Sequence, residues 1–386
     1  MTRERQTLVW RATRRAFPVL FALAATILPA RAEDNLSLPV LVPVTGFLSL
    51  EGTSQRNGAL LALKDAPPGV RIKADVIDTG TSPEAAVTAL ERAAGSGDVV
   101  AVGASMLGTQ MLAMLPLALE YELPLVTVSG TASITEQDNP WVFRFFPGDA
   151  VTKEAHARYV VEELGKKRPA LIYQTTAYGQ SGRAHLVETF KRLGADLAFE
   201  EGVDPAAKDL LPVLTKALAA KPDVLILHLH SGPTALFLRQ AAAHGVTVPI
   251  VAGSAMHQPS TAALLEPAEL KGVCAETAAS PISGGSPEME AFTAAYRTAF
   301  NAEPDAFALG QYDGTRMVLE AVKAGARSAT EVQKALATGT HQGLAMTYRS
   351  DGKGNMAHSA VIVCYDGTSR VPKLVKRYDN ITGVVQ

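Results

Sequence analysis

The chain has 386 residues, of which 47% are hydrophobic and 19% charged, and its formal charge is −2. That length exceeds what one hydrophobic core normally serves, so two lobes are expected. The slight acidity argues against a nucleic-acid surface, which needs a basic face, and after the N-terminus no apolar run approaches the roughly 20 residues of a bilayer span.

The first 32 residues are a different kind of sequence. Arg3, Arg5, Arg11, Arg14 and Arg15 precede an apolar run from Pro18 to Pro29, and Ala30-Arg31-Ala32 offers a small-residue cleavage site. This three-part order predicts an export signal over residues 1–32, and Thr13-Arg14-Arg15-Ala16-Phe17 resembles the twin-arginine signal of bacteria. Cleavage removes six arginines and one glutamate, which takes the formal charge to about −7.

From there, short apolar runs alternate with amphipathic ones. Strands are predicted over residues 36–44, 71–77, 99–103, 123–128, 170–173, 224–230, 250–252, 273–276 and 360–365. Helices are predicted over 54–64, 83–94, 109–121, 153–165, 180–193, 233–244, 287–300, 306–324 and 331–336. Ser82-Pro83-Glu84 and Ser286-Pro287-Glu288 mark two helix starts with a hydroxyl cap, a proline and a first-turn acid. Apolar strands alternating with helices imply α/β architecture, with doubly wound parallel sheets covered on both faces. Cys274 and Cys364 each fall on an apolar strand. Two buried thiols are expected, a disulfide being the alternative that an oxidising compartment permits.

Sheets of this kind bind ligands at the carboxyl ends of their strands. The loops there read Pro43-Val44-Thr45-Gly46, Ser105-Met106-Leu107-Gly108, Ser129-Gly130-Thr131, Thr175-Thr176-Ala177-Tyr178-Gly179, His230-Ser231-Gly232 and Gly253-Ser254-Ala255-Met256. They are small, neutral and hydroxyl-rich. Gly103-Ala104-Ser105-Met106-Leu107 lacks the second glycine of a nucleophile turn, and Gly46 to Gly52 has neither dinucleotide nor phosphate-loop spacing. His228 and His230 share a strand face but find no third metal ligand nearby, so an interior histidine and a pocket wall are expected. No catalytic residue, metal or cofactor is assigned. What remains is binding: the Ser105 and Ser129 loops, beside the helix that opens at Gly108-Thr109, form a clasp for a carboxylate.

The ordered set Pro43-Val44-Thr45-Gly46, Gly52, Gly58-Ala59, Leu123-Pro124-Leu125-Val126-Thr127, Trp141-Val142-Phe143-Arg144, Tyr178-Gly179-Gln180-Ser181-Gly182, Leu238-Arg239-Gln240-Ala241 and Ala306-Phe307 to Tyr312-Asp313-Gly314 resembles a known family. It is that of the periplasmic solute-binding proteins of branched-chain amino-acid ABC importers, with the type I periplasmic-binding fold. The resemblance implies two doubly wound lobes joined by a three-crossing hinge: residues 34–146 with 280–339, and 147–279 with 341–386. It implies a monomeric periplasmic receptor that closes on a small solute and delivers it to a permease and ATPase.

By the same resemblance Ser129 and Thr131 grip the ligand's charged head, and Tyr178 and Phe307 form aromatic walls. The family's serine after the third strand falls on Met106 or Leu107, and its ammonium-binding acid near Ala255. Glu51 is read as a solvated loop acid, the alternative being that it swings in to pair with a ligand ammonium. An α-amino acid is therefore disfavoured, because a buried ammonium without a partner costs several kcal/mol. The expected ligand is an aromatic or branched carboxylate, a 2-oxo acid among the candidates. Its site comprises Leu50, Ser105, Met106, Leu107, Ser129, Gly130, Thr131, Tyr178, His230, Ser231, Met256, Phe307 and Gln311. An amino-acid receptor, a ligand sensor of the same fold and an exported hydrolase are the alternatives.

Overall fold

The structure, a computed structural model, describes residues 36–283 and 285–381 together with the isolated position 2; the predicted export signal lies outside the described residues. Two sheets organise these residues. The first holds β1 (Val40–Val42), β2 (Val76–Asp78), β3 (Val102–Gly103), β4 (Leu125–Thr127) and β5 (Val142–Arg144), in the order β2-β1-β3-β4-β5, all parallel. The second holds β6 (Pro169–Gln174), β7 (Phe199–Val203), β8 (Val224–His228), β9 (Ile250–Ala252), β10 (Val273–Thr277), β11 (Ala360–Cys364) and β12 (Lys373–Tyr378), in the order β12-β11-β10-β9-β8-β6-β7.

Both sheets are covered on two faces, and the alternation of side chains shows it. Val40 and Val42 pack into one apolar cluster while Leu41 packs into another on the opposite face. In the second sheet Leu225 and Leu227 face one cluster, Val224 and Ile226 the other. The covering helices are α1 (Ser49–Lys64), α2 (Pro83–Ala94), α3 (Gly108–Glu120), α4 (Asp149–Arg158), α5 (Ala177–Arg192), α6 (Leu211–Ala219), α7 (Ser231–Ala243), α8 (Pro287–Phe300), α9 (Ala306–Lys323) and α10 (Ala329–Thr338). The Ser82 and Ser286 hydroxyls accept from the backbone N–H three residues on, each at 3.2 Å, so both predicted caps are in place.

Three features depart from expectation. β11 and β12 run antiparallel to their neighbours, so the second sheet is not wholly parallel. The hairpin Thr340–Gln342 and Thr347–Arg349 stays with the first lobe: Tyr348, Met356 and Ala357 sit in the cluster that covers β1, and Met356 N–H donates to Arg144 O at 3.0 Å. The chain therefore returns to the second sheet after Ala357 rather than at position 341. Cys274 and Cys364 are directly paired across β10 and β11 and form a disulfide, so the expectation of two thiols is overturned.

β12 is an edge strand. It carries exposed Leu374 and Val375 between Lys373, Lys376 and Arg377, and its lysines pair with Asp366 at 3.0 Å and Glu163 at 2.6 Å.

Candidate functional site

The loops at the carboxyl ends of both sheets converge on one cavity, lined by Leu48, Glu51, Met106, Gly130, Phe146, Asp149, Thr152, Tyr178, His230, Ser254, Ala255 and Phe307. The space between its atoms, part of it open to solvent, is about 440 Å³. Phe146 and Phe307 stack at 4.8 Å on the first-lobe side. Tyr178 and His230 stack at 5.3 Å on the other.

The hydroxyl-rich loops are held from behind. Thr127 Oγ1 donates to Ser105 O at 2.8 Å and accepts from Ser129 N–H at 3.1 Å, tying the two loops together. The Arg144 guanidinium, buried at the end of β5, donates to the carbonyls of Ser129, Gly130 and Thr131 at 3.3, 3.2 and 2.6 Å. Burial brings its pKa down to about 10, so it keeps its charge. Ser129 Oγ and Thr131 Oγ1 are buried and have no hydrogen-bond partner. Thr131 Oγ1 lies against Gly108, the first residue of α3; a Cβ there would sit 2.0 Å from it, so only glycine fits. An unpaired hydroxyl beside helix N-terminal N–H groups is placed to donate to a carboxylate.

Acids meet the same cavity from both lobes. Asp149 opens α4, and its N–H donates to Gly130 O at 2.7 Å. Its carboxylate oxygens have no hydrogen-bond partner: Lys153 Nζ stands 4.0 Å away and His228 Nε2 3.9 Å. Burial pushes the Asp149 pKa up to about 7, although Lys153 and the Ser181 hydroxyl pull it down without closing a bond. Lys153 is committed elsewhere, to Glu276, which also accepts from Ser254 Oγ at 2.9 Å. Burial holds His230 down to about 4 and His228 well below its ordinary range, so both rings are neutral. The lining thus presents two carboxyl groups and no lysine or arginine.

Glu51 is not a loop acid. α1 begins at Ser49 rather than Ser54 and carries Glu51 into the interior, 2% exposed. Its Oε1 accepts from Ser231 N–H at 2.9 Å and Ser231 Oγ at 2.5 Å, from the start of α7 in the other lobe, while Oε2 has no partner. The expectation of a solvated Glu51 is therefore overturned: the side chain lines the cavity.

Of the thirteen residues expected at the site, Met106, Gly130, Tyr178, His230 and Phe307 line the cavity. Ser129 and Thr131 flank Gly130 with their free hydroxyls. Ser105 instead donates to Gln110 Oε1 at 2.6 Å, Gln311 accepts from Gln55 Nε2 at 2.8 Å, and Met256 packs in the core of the second lobe. Leu107 is in the cluster behind Met106. Leu50 is half-buried outside the lining, where Leu48 takes its place, and Ser231 spans the lobes. Sequence reasoning missed Asp149, Thr152 and Phe146; only the Phe145-Phe146-Pro147-Gly148-Asp149 turn after β5 hinted at them. Among the described residues no group of three or more His, Cys, Asp or Glu side chains is placed to hold a metal ion.

A cavity walled by the carboxyl-end loops of two doubly wound lobes is the geometry of a receptor that encloses a solute. The periplasmic binding protein family model matches residues 36–368. This chain belongs to that family. Among relatives, the Leu/Ile/Val-binding protein homolog 1 of Brucella suis is 24% identical over 325 residues, 82% of this chain and 86% of that one. The isoleucine complex of a branched-chain amino-acid transporter substrate-binding protein from Streptococcus pneumoniae superposes with a TM-score of 0.79 at 21% identity, covering 88% of this chain and 99% of that one. A solute-binding protein from Rhodopseudomonas palustris in complex with benzoate gives 0.81 at 16%, covering 90% and 97%. At these identities the two structures share the fold with this periplasmic binding protein. Its role as a solute-binding receptor of the ABC-transporter type follows from the family.

Proposed function

We propose that this chain is an exported receptor of an ABC importer whose ligand is a small zwitterion with an apolar body, an apolar α-amino acid being the simplest. The observation that carries the reading is Asp149: a buried carboxylate at the cavity with no hydrogen bond to either oxygen. A ligand ammonium supplies the missing donors and offsets the desolvation that raises its pKa. The ligand carboxylate takes the Ser129 and Thr131 hydroxyls and the start of α3. Leu48, Met106, Phe146 and Phe307 enclose the apolar part. The Leu/Ile/Val-binding name of the relatives supports the same class. Lobe closure by hinge motion, delivery of the solute unaltered to a permease and ATPase, and the cleaved export signal complete the proposal.

The second reading keeps the carboxylate without the ammonium, as in benzoate or a 2-oxo acid. The aromatic walls and the benzoate-bound neighbour favour it. Here a protonated Asp149 donates to the ligand. The two readings differ in sign with pH. An ammonium lowers the pKa of Asp149 from about 7, so binding releases a proton, and affinity rises with pH until about 7 and then levels. A ligand that needs the protonated acid loses affinity as pH climbs past about 7. Calorimetric titration with L-isoleucine, L-phenylalanine, benzoate and the 2-oxo acid of each amino acid, repeated across pH, decides between them. Binding by the 2-oxo acids alone, weakening at high pH, overturns the zwitterion.

A further inference from the structure

The seam beside the cavity contains a chain of hydrogen bonds whose proton count does not close with ionised acids. Glu51 on α1 and Asp305, the N-cap of α9, belong to the first lobe; Ser231 and Gln258 belong to the second. Ser231 Oγ lies 2.5 Å from Glu51 Oε1 and 2.8 Å from Gln258 Oε1. Gln258 Nε2 then donates to Asp305 Oδ2 at 2.9 Å. A hydroxyl carries one hydrogen and cannot donate to two oxygens at such distances. Turning the Gln258 amide over frees the serine to donate to Glu51 alone, but sets Gln258 oxygen against Asp305 oxygen. Either assignment leaves two acceptor oxygens in contact unless one carboxyl is protonated, on Glu51 in the first case and on Asp305 in the second.

We propose that Glu51 and Asp305 are a positioning pair for lobe closure that holds one shared proton across the seam, taken up when the lobes meet and released when they part. On opening, water reaches both carboxyls and neither needs the proton; on closing, the Ser231–Gln258 bridge completes only with it. The surroundings agree. Glu51 and Asp305 are fully buried, both acids are raised by burial, and the repulsion of Asp305 raises Glu51 further. The remaining bonds to Asp305 are donors, from Ser54 Oγ at 2.6 Å and Ala308 N–H at 2.8 Å. The other titratable groups facing the pair are Asp149, Tyr178, neutral His230 and Tyr296, and Arg56 on α1 is bonded to Asn57. None of these supplies a second cation to replace the proton.

The inference rests on the hinged-receptor reading but not on the ligand, so it is tested without one. Two labels, one per lobe, report lobe separation of the purified ligand-free chain by distance spectroscopy between about pH 5 and pH 8. The closed population of the unsubstituted chain should rise as pH falls, by at most about tenfold per pH unit for one proton. Glu51→Gln combined with Asp305→Asn, which leaves neither carboxyl to take the proton, should lose the dependence. Ser231→Ala should lose it by breaking the bridge and stay more open throughout. A separation independent of pH in the unsubstituted chain, or an unchanged dependence in the double variant, overturns the proposal; neither result bears on which solute binds.

Discussion

Asp149 and Lys153 sit one helical turn apart, yet they solve different problems. Lys153 and Glu276 form a buried ion pair with both side chains fully enclosed. Removing one member leaves an uncompensated charge, so Lys153→Met should cost about 3–5 kcal/mol in urea unfolding, and adding Glu276→Leu should recover much of that loss. Asp149 lacks such a partner. A raised acid makes the fold less stable as it ionises, so the ligand-free chain should lose stability as pH rises from about 4 to about 7 and hold level above. Asp149→Asn should flatten that profile and gain about 1–3 kcal/mol at pH 8, measured by thermal or urea unfolding, while weakening an ammonium ligand at least tenfold. At this scale the sequence disclosed the hydroxyls of Ser129 and Thr131, because their loop follows a plain apolar strand. It concealed the acids. Glu51 reads as a loop residue since Gly52 and Thr53 interrupt the helical pattern, and Asp149 falls in the turn before the helix predicted from 153.

Elements were most legible where they are buried on both faces. β1, β4, β8 and β10 are apolar runs, and α2 and α8 carry their caps in the sequence. β7 and β12 were missed because edge strands need not be apolar: Phe-Glu-Glu-Gly-Val and Lys-Leu-Val-Lys-Arg-Tyr are half or mostly exposed. The cysteine pairing was hidden for a related reason. Only the register of β10 against β11 brings Cys274 opposite Cys364, and strand order cannot be read from composition. The bond closes a separation of 90 residues. Replacing both cysteines with alanine should lower stability by about 2–5 kcal/mol, seen as a lower urea midpoint that reductant does not shift further.

For the whole molecule, two sheets of five and seven strands were foreseeable as two lobes, but the place of the last crossing was not. The hairpin after α10 looks in sequence like the start of the second lobe's final stretch, and it is tertiary packing of Tyr348 and Met356 that keeps it with the first. The same topology leaves β12 with one side unpaired. Its lysines and arginine interrupt an otherwise sticky margin, since a neighbouring copy that docked there would have to bury their charge. Lys373→Thr with Lys376→Ile should therefore make the receptor self-associate with concentration, detectable by light scattering, while solute affinity stays the same. Freedom from aggregation at the crowded densities of a periplasm would then depend on a pair of side chains far from the cavity.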